Sequence, residues 1–191
     1  MTTAVEGEVA RGARTLLREK RLADASDDFR WRSEADLSRY DAARPLSMEY
    51  GEFLLLFEEE LRYPSQYRRN LAIDDETGKH IGNVMYYNID AVHHEAELGI
   101  TIGEPDYWDK GYGTEAARLL VERLLRDLGF KRVYLKTLEW NQRARRAFGK
   151  VGFSECGRTF RSGNSFILME IRREWLDSAE ASRQLAAVPA V

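Results

Sequence analysis

Two glycines one residue apart, Gly111 and Gly113, mark the clearest chemistry in this chain. They lie in Tyr107-Trp108-Asp109-Lys110-Gly111-Tyr112-Gly113-Thr114-Glu115-Ala116. Without Cβ atoms the backbone can turn sharply, and a ligand can approach the main chain closely. The first amides of a following helix have no intrahelical acceptor and sit at the positive end of its dipole. That arrangement suits an anion such as a pyrophosphate. Lys110 adds a formal positive charge beside it. A glycine pair alone would equally mark an ordinary helix start. A strand before it and a long helix after it favour phosphate binding.

The elements that must position this loop can be read in turn. Residues 97–103 form an apolar run ahead of it. Behind it, 114–128 predicts a helix whose Ala117, Leu120, Val121, Leu124, Leu125 and Leu128 form one stripe. Glu115 complements the dipole in its first turn, and Gly129 supplies the C′ residue. Residues 132–138 read as a strand that can run parallel to 97–103 in a βαβ-like unit. Upstream, 67–73, 80–89 and 94–103 read as three antiparallel strands, the first two joined by Asp74-Asp75-Glu76-Thr77-Gly78-Lys79. Residues 15–19 predict a first strand. Asp24, Ala25, Ser26 and Asp27 offer a start for a helix through Trp31. Ser47 as N-cap precedes a helix with Phe53, Leu54, Phe57 and Leu61 at helical spacing. Its Glu58-Glu59-Glu60 reads as a solvated face. Asn141 caps a short helix reaching Lys150. A strand from Gly152-Phe153 to Arg161, the turn Ser162-Gly163-Asn164 and a strand over 165–172 complete the chain.

At 191 residues and 43% hydrophobic, the chain has the size of one domain, expected over 13–176. Residues 1–12 are expected to be a mobile tail and 177–191 a frayed one. A formal net charge of −3 gives no bulk attraction for nucleic acid or membrane. The single cysteine, Cys156, excludes an internal disulfide and fits a reducing compartment. With no secretory signal and no apolar run near about 20 residues, the expected location is the cytoplasm.

Glu97-Leu98-Gly99-Ile100, the 107–116 stretch, Asn141-Gln142-Arg143-Ala144 and Val151-Gly152-Phe153 together resemble the GNAT superfamily of N-acetyltransferases. Within it, the chain is most similar to the RimJ/RimL-like branch. The resemblance spans about 16–175. It implies an α/β, or α+β, fold: a mixed sheet of six or seven strands with helices on both faces, splayed where acetyl-CoA enters. It implies no metal, an amine acceptor (a protein N-terminus or a small molecule), and a possible homodimer. The family's phosphate loop falls on Trp108, Lys110, Gly111, Tyr112, Gly113 and Thr114. Trp108 stands where many relatives carry Gln or Arg, which removes a side-chain contact and keeps the backbone cradle. The strand edge carrying Leu98, Ile100, Thr101 and Ile102 would pair with the pantetheine amides. Asn141 would bond the same arm, with Ala144 and Phe148 following it.

Acetyl transfer to an amine needs a deprotonated nucleophile, a stabilised oxyanion and a departing thiol. By the resemblance, Glu97 is the candidate base, acting through water. A carboxylate on a solvated sheet face is the alternative. His93 and His94 are alternate bases or ordinary surface residues, and His-His-Glu matches no specific zinc spacing. An amide near 98–100 would hold the oxyanion. Many relatives carry a tyrosine acid where this chain has Phe148. Tyr134, Ser154 or Cys156 could replace it, although Cys156 reads more simply as buried packing. Trp31, Tyr40, Met48 and Phe53 of the early helices, and the final hairpin, would contribute to the acceptor pocket. The loss of a phenol at Phe148 also motivates a second reading, an acyl-CoA-binding regulatory or interaction module with weak or no catalysis.

Overall fold

The computed structural model describes residues 6–176. Its eight strands form one sheet in the order β1-β2-β3-β4-β5-β6-β8-β7. They are β1 (Glu8–Arg11), β2 (Thr15–Glu19), β3 (Arg68–Asp75), β4 (His80–Asp90), β5 (Glu95–Ile102), β6 (Arg132–Leu138), β7 (Ser154–Arg161) and β8 (Asn164–Arg172). Helices α1 (Ala25–Ser33), α2 (Ala35–Tyr40) and α3 (Tyr50–Arg62) lie between β2 and β3; α4 (Tyr112–Glu122) follows β5 and α5 (Gln142–Val151) follows β6. All pairings are antiparallel except β5 with β6. That parallel pair is the expected βαβ-like unit, with α4 as its crossover.

The parallel pairing is short. It joins Glu95, Ala96 and Glu97 to Arg132, Val133 and Tyr134, and no pairing continues beyond. Both strands run on, β5 against β4 as far as Ile102 and β6 against β8 as far as Leu138. Each strand is thus held on its outer side while the inner sides part. The core on one face unites Leu17, Leu71, Ile73, Val84 and Leu98 with Ala117, Leu120 and Val121 of α4 and Leu124 just beyond it.

Four expectations are corrected. The sheet has eight strands because β1 forms inside the stretch taken for a mobile tail. Glu115 explains its order: its carboxylate accepts from the Ala13 amide at 2.7 Å, the Arg14 amide at 3.2 Å and the Thr15 hydroxyl at 3.0 Å. It pins the β1–β2 turn to α4. The helix behind the glycine loop starts at Tyr112 and passes into a π-helical turn at Arg123–Asp127, which leaves Leu128 exposed rather than in the stripe. The cap of α3 is Glu49, not Ser47, without a side-chain bond. A separate helix, α2, was not legible. Residues 1–5 and the expected frayed tail at 177–191 lie outside the described residues.

Removing the Glu115 carboxylate strands three donors at once. Glu115→Ala should lower stability by roughly 1–3 kcal/mol, and Glu115→Gln, which keeps one acceptor oxygen, by less. Denaturant unfolding checks both, and equal stability of Glu115→Ala would show that β1 docks without this anchor.

Candidate active site

The parting of β5 from β6 opens a cleft of about 1200 Å³. It gathers nearly all the residues expected to hold the cofactor: Leu98, Ile100, Thr101, Ile102, Trp108, Lys110, Gly111, Gly113, Thr114, Asn141, Ala144 and Phe148. Tyr112 is the exception. Its buried ring packs on Tyr107 and its hydroxyl donates to Glu76, so only its backbone faces the loop.

The glycine loop is built as a cradle. Gly111 has φ +90°, a left-handed conformation that a side chain resists. A Cβ at Gly113 would come to 3.3 Å from Ile102 Cγ1, closer than comfortable packing. Arg14 donates to the Lys110 carbonyl at 2.7 Å, and the Trp108 indole donates to the Ile102 carbonyl at 2.8 Å. The tryptophan that replaces a phosphate-binding side chain therefore ties the loop to the end of β5. Across the cleft, Asn141 caps α5 by accepting from the Ala144 amide at 3.1 Å, which leaves its NH₂ donors for the cleft. Arg143, Arg146 and Lys150 of α5 join Lys110 along this wall. None of the four has an ion pair among the described residues. A backbone cradle beside four unpaired cations fits a polyanionic cofactor.

Glu97 sits where the pairing stops. It is 2% exposed, so the solvated-face reading is corrected. Its carboxylate accepts from Tyr87 Oη at 2.9 Å and Asn88 Nδ2 at 2.9 Å, and pairs with Lys136 Nζ at 3.1 Å. Asn88 reaches it from an irregularity in β4, with a positive φ of 50°. Such bulges re-aim side chains beside active sites. Tyr134 is the register partner of Glu97 on β6 and lines the same cleft. Burial, then the charges of Glu97 and Glu95, raise its pKa, with Arg132 and Asn88 opposing. Burial and the Glu97 charge raise Tyr87 further. Both phenols hold their protons past the ordinary range, so either can donate and neither is a base at neutral pH.

Phe148 is buried against Phe153, with ring centroids 5.9 Å apart. Ser154 is exposed on β7 outside the cleft lining, while Cys156 is exposed and lines the cleft. The expectation of a buried Cys156 is corrected: β7 is an edge strand, and a bulge at that residue turns it outward. His93 is an exposed hairpin residue paired with Asp90 at 2.7 Å, away from the cleft. Among the described residues no group of three or more His, Cys, Asp or Glu could hold a metal ion.

Of the residues expected at the acceptor, only Tyr40 lines the cleft. Trp31 is buried between α1 and the end of β5, its ring on His80 and its indole donating to Glu104. Phe53 packs on Phe29 and Phe57, and Met48 also lies outside the lining. These are packing residues of the helical layer. Tyr40 instead spans the mouth, meeting Trp108 at 5.5 Å and Trp140 at 5.4 Å between ring centroids. Tyr87, Asn88 and Lys136 were missed, because their convergence depends on register and on a bulge that no local signal marks.

Comparison with known proteins agrees with this geometry. The acetyltransferase (GNAT) domain family profile matches residues 14–154. An N-acetyltransferase of Bacillus licheniformis is 24% identical over 145 residues, covering 75% of this chain and 81% of its own length. The spermidine N(1)-acetyltransferase of Escherichia coli K12 is 30% identical over 125 residues, 65% of this chain and 64% of that one. A spermidine N-acetyltransferase from Vibrio cholerae, crystallised with CoA and spermine, shares the fold with a TM-score of 0.76 at 20% identity, over 85% of this chain and 98% of that one. A profile that runs from the β1–β2 turn to the start of β7, over the glycine loop and both parted strands, places the chain in the GNAT family: it is an N-acetyltransferase that uses acetyl-CoA.

Proposed function

We propose that the chain acetylates a small-molecule primary amine by direct attack on the thioester. Acetyl-CoA would enter from the α4–α5 side and the amine from the α1–α2 side. The observation that carries this reading is the parting of β5 from β6 beyond Glu97 and Tyr134, with a cleft lined from both faces of the sheet. The Tyr-Trp form of the glycine loop is the ground for a place near the RimJ/RimL-like branch. The spermidine N-acetyltransferases among the relatives favour a small amine over a protein N-terminus.

When bound, acetyl-CoA supplies the acetyl group and a thiol leaving group. The amides at 110–114 and the cations of α5 hold its phosphates. The inner edge of β5 and Asn141 orient the arm. Glu97, with a water, takes the proton that the amine nitrogen loses, as Tyr87, Asn88 and Lys136 fix its carboxylate. Tyr134 offers the proton that the sulfur needs, in place of the phenol absent at Phe148. Phe148 supports a second reading, a binding module with weak catalysis. Thiol release from acetyl-CoA with spermidine and a free-N-terminus peptide separates the two, because a module binds without turnover.

Gly111→Val places a branched side chain in a left-handed conformation, a strain of about 1–2 kcal/mol. It should weaken acetyl-CoA binding about tenfold or more in a folded variant. Calorimetry checks this, and unchanged affinity would remove the pyrophosphate from the loop.

Glu97→Gln should lower kcat/KM by about 10²-fold or more with acetyl-CoA affinity near that of the parent, and flatten the acidic limb of the pH–rate profile. Parent-like rates from about pH 6 to 9 would make Glu97 structural.

Tyr134→Phe should slow thiol release by about 10²-fold. Because the Tyr134 pKa is raised, deprotonation costs activity only above about pH 10, the ordinary phenol value. Phe148→Tyr in the Tyr134→Phe background should recover part of the rate. No loss in Tyr134→Phe would mean that the thiolate leaves unassisted or that another donor acts.

A further inference from the structure

On the α1–α2 side, the register of β4 and β5 sorts the sheet beside the cleft into rows. Tyr87 faces Glu97, Met85 faces Gly99, and Asn83 faces Thr101. The first row is polar and carries the proposed chemistry. The second is apolar: Gly99 has no side chain, Met85 flanks it, and Leu37 of α2 lines the same wall. The third is polar again, since the Thr101 hydroxyl donates to Asp41 Oδ2 at 3.3 Å from the end of α2. Two residues separate successive rows, so the first and third lie roughly 13 Å apart at about 3.3 Å per residue.

The charges on this wall are mostly committed. Lys136 pairs with Glu97, and Arg132 with Glu95 and Glu170. Asp41 has its hydrogen bond from Thr101 and no ion pair among the described residues. We propose that Asp41 is a specificity residue that binds a second, distal ammonium of the acceptor, so that the preferred acceptor is an alkyl diamine or polyamine lying over Gly99. Its reacting amine reaches Glu97, its methylenes cover Met85, Gly99 and Leu37, and its far cation meets Asp41. This deepens the acceptor reading above and rests on it.

The surroundings of Asp41 agree. Asp41 is exposed at the cleft, its carboxylate accepting from the Thr101 hydroxyl, so an incoming cation can reach it. Gly99 is also required for the passage, since a Cβ there would come to 3.1 Å from Met85 Cγ and 3.3 Å from Tyr87. Arg161, at the end of β7, lines the same cleft and would favour an acceptor with an anionic end.

Three acceptors of similar length and different far ends decide the matter: hexamethylenediamine, hexylamine and aminocaproate. The parent enzyme should prefer the diamine, chiefly through a lower acceptor KM. Asp41→Asn should reduce the diamine-over-hexylamine preference about 10- to 100-fold, the range of a charge-assisted contact. Asp41→Glu should restore part of it. Thermal unfolding of both variants excludes a folding defect. A parent enzyme that prefers aminocaproate, or an Asp41→Asn variant that keeps the diamine preference, overturns the proposal. Turnover of a free-N-terminus peptide but of none of the three amines overturns it too, and leaves acetyl transfer intact. No thiol release with any acceptor overturns the catalytic reading itself.

Discussion

The constraint on which the structure depends is the short parallel pairing of β5 with β6. A sheet that stays zipped satisfies its own backbone and offers no edge. Here the ladder stops at Glu97 and Tyr134, and both strands continue under the hold of their outer partners. Backbone groups on the parted edges need partners. The Trp108 indole already caps one of them, the Ile102 carbonyl. The rest of the inner edge is available for an extended ligand to complete. The wedge is therefore both the mould for the cofactor arm and the reason that a carboxylate and a phenol meet at its apex.

Around that wedge, charge is sorted by face. Cations without an ion pair among the described residues collect on the α5 and glycine-loop wall, where a polyanion is needed, Arg143 stacked over the Trp108 ring at 3.9 Å. On the opposite wall the cations are neutralised by partners, and Glu97 is buried only because three donors hold it. A buried carboxylate stripped of those donors would be costly. The same network that stabilises Glu97 fixes its orientation, so positioning and stability cannot be separated at this residue. A second network, Arg18 bridging Asp24 and Asp74, anchors the start of α1 to the sheet from the interior.

The glycine loop, α4, the strands from β3 to β6 and the Asn141 cap were legible because each carries a local signal: positive φ, helical period, alternation or a cap residue. The first strand was not, since its order comes from Glu115, about a hundred positions along the chain. α2 was hidden for a related reason, because six residues hold too little period to read. At the site, residues tied to a strand edge or a loop were placed well. Trp31 and Phe53 were not, because aromatic type on a helix does not say which of two layers it joins. The partners of Glu97 come from the bulged end of β4 and, in Lys136, from β6, and neither can be seen from spacing.

Phe148 shows how one catalytic task can move between elements without the fold changing. A phenol on α5 would approach the sulfur from the helix side, whereas Tyr134 approaches from β6 at the point where the ladder ends. The two positions differ in what sets their protonation. Phe148 is buried and packs on Phe153. Tyr134 lies beside Glu97, whose negative charge disfavours a phenolate and so keeps the proton in place. A donor that must give up its proton only to a developing thiolate gains from that neighbour, because it stays loaded until the sulfur carries charge. Coupling the acid to the base across the first broken rung of the sheet ties both roles to the same geometric event, the end of the β5–β6 pairing.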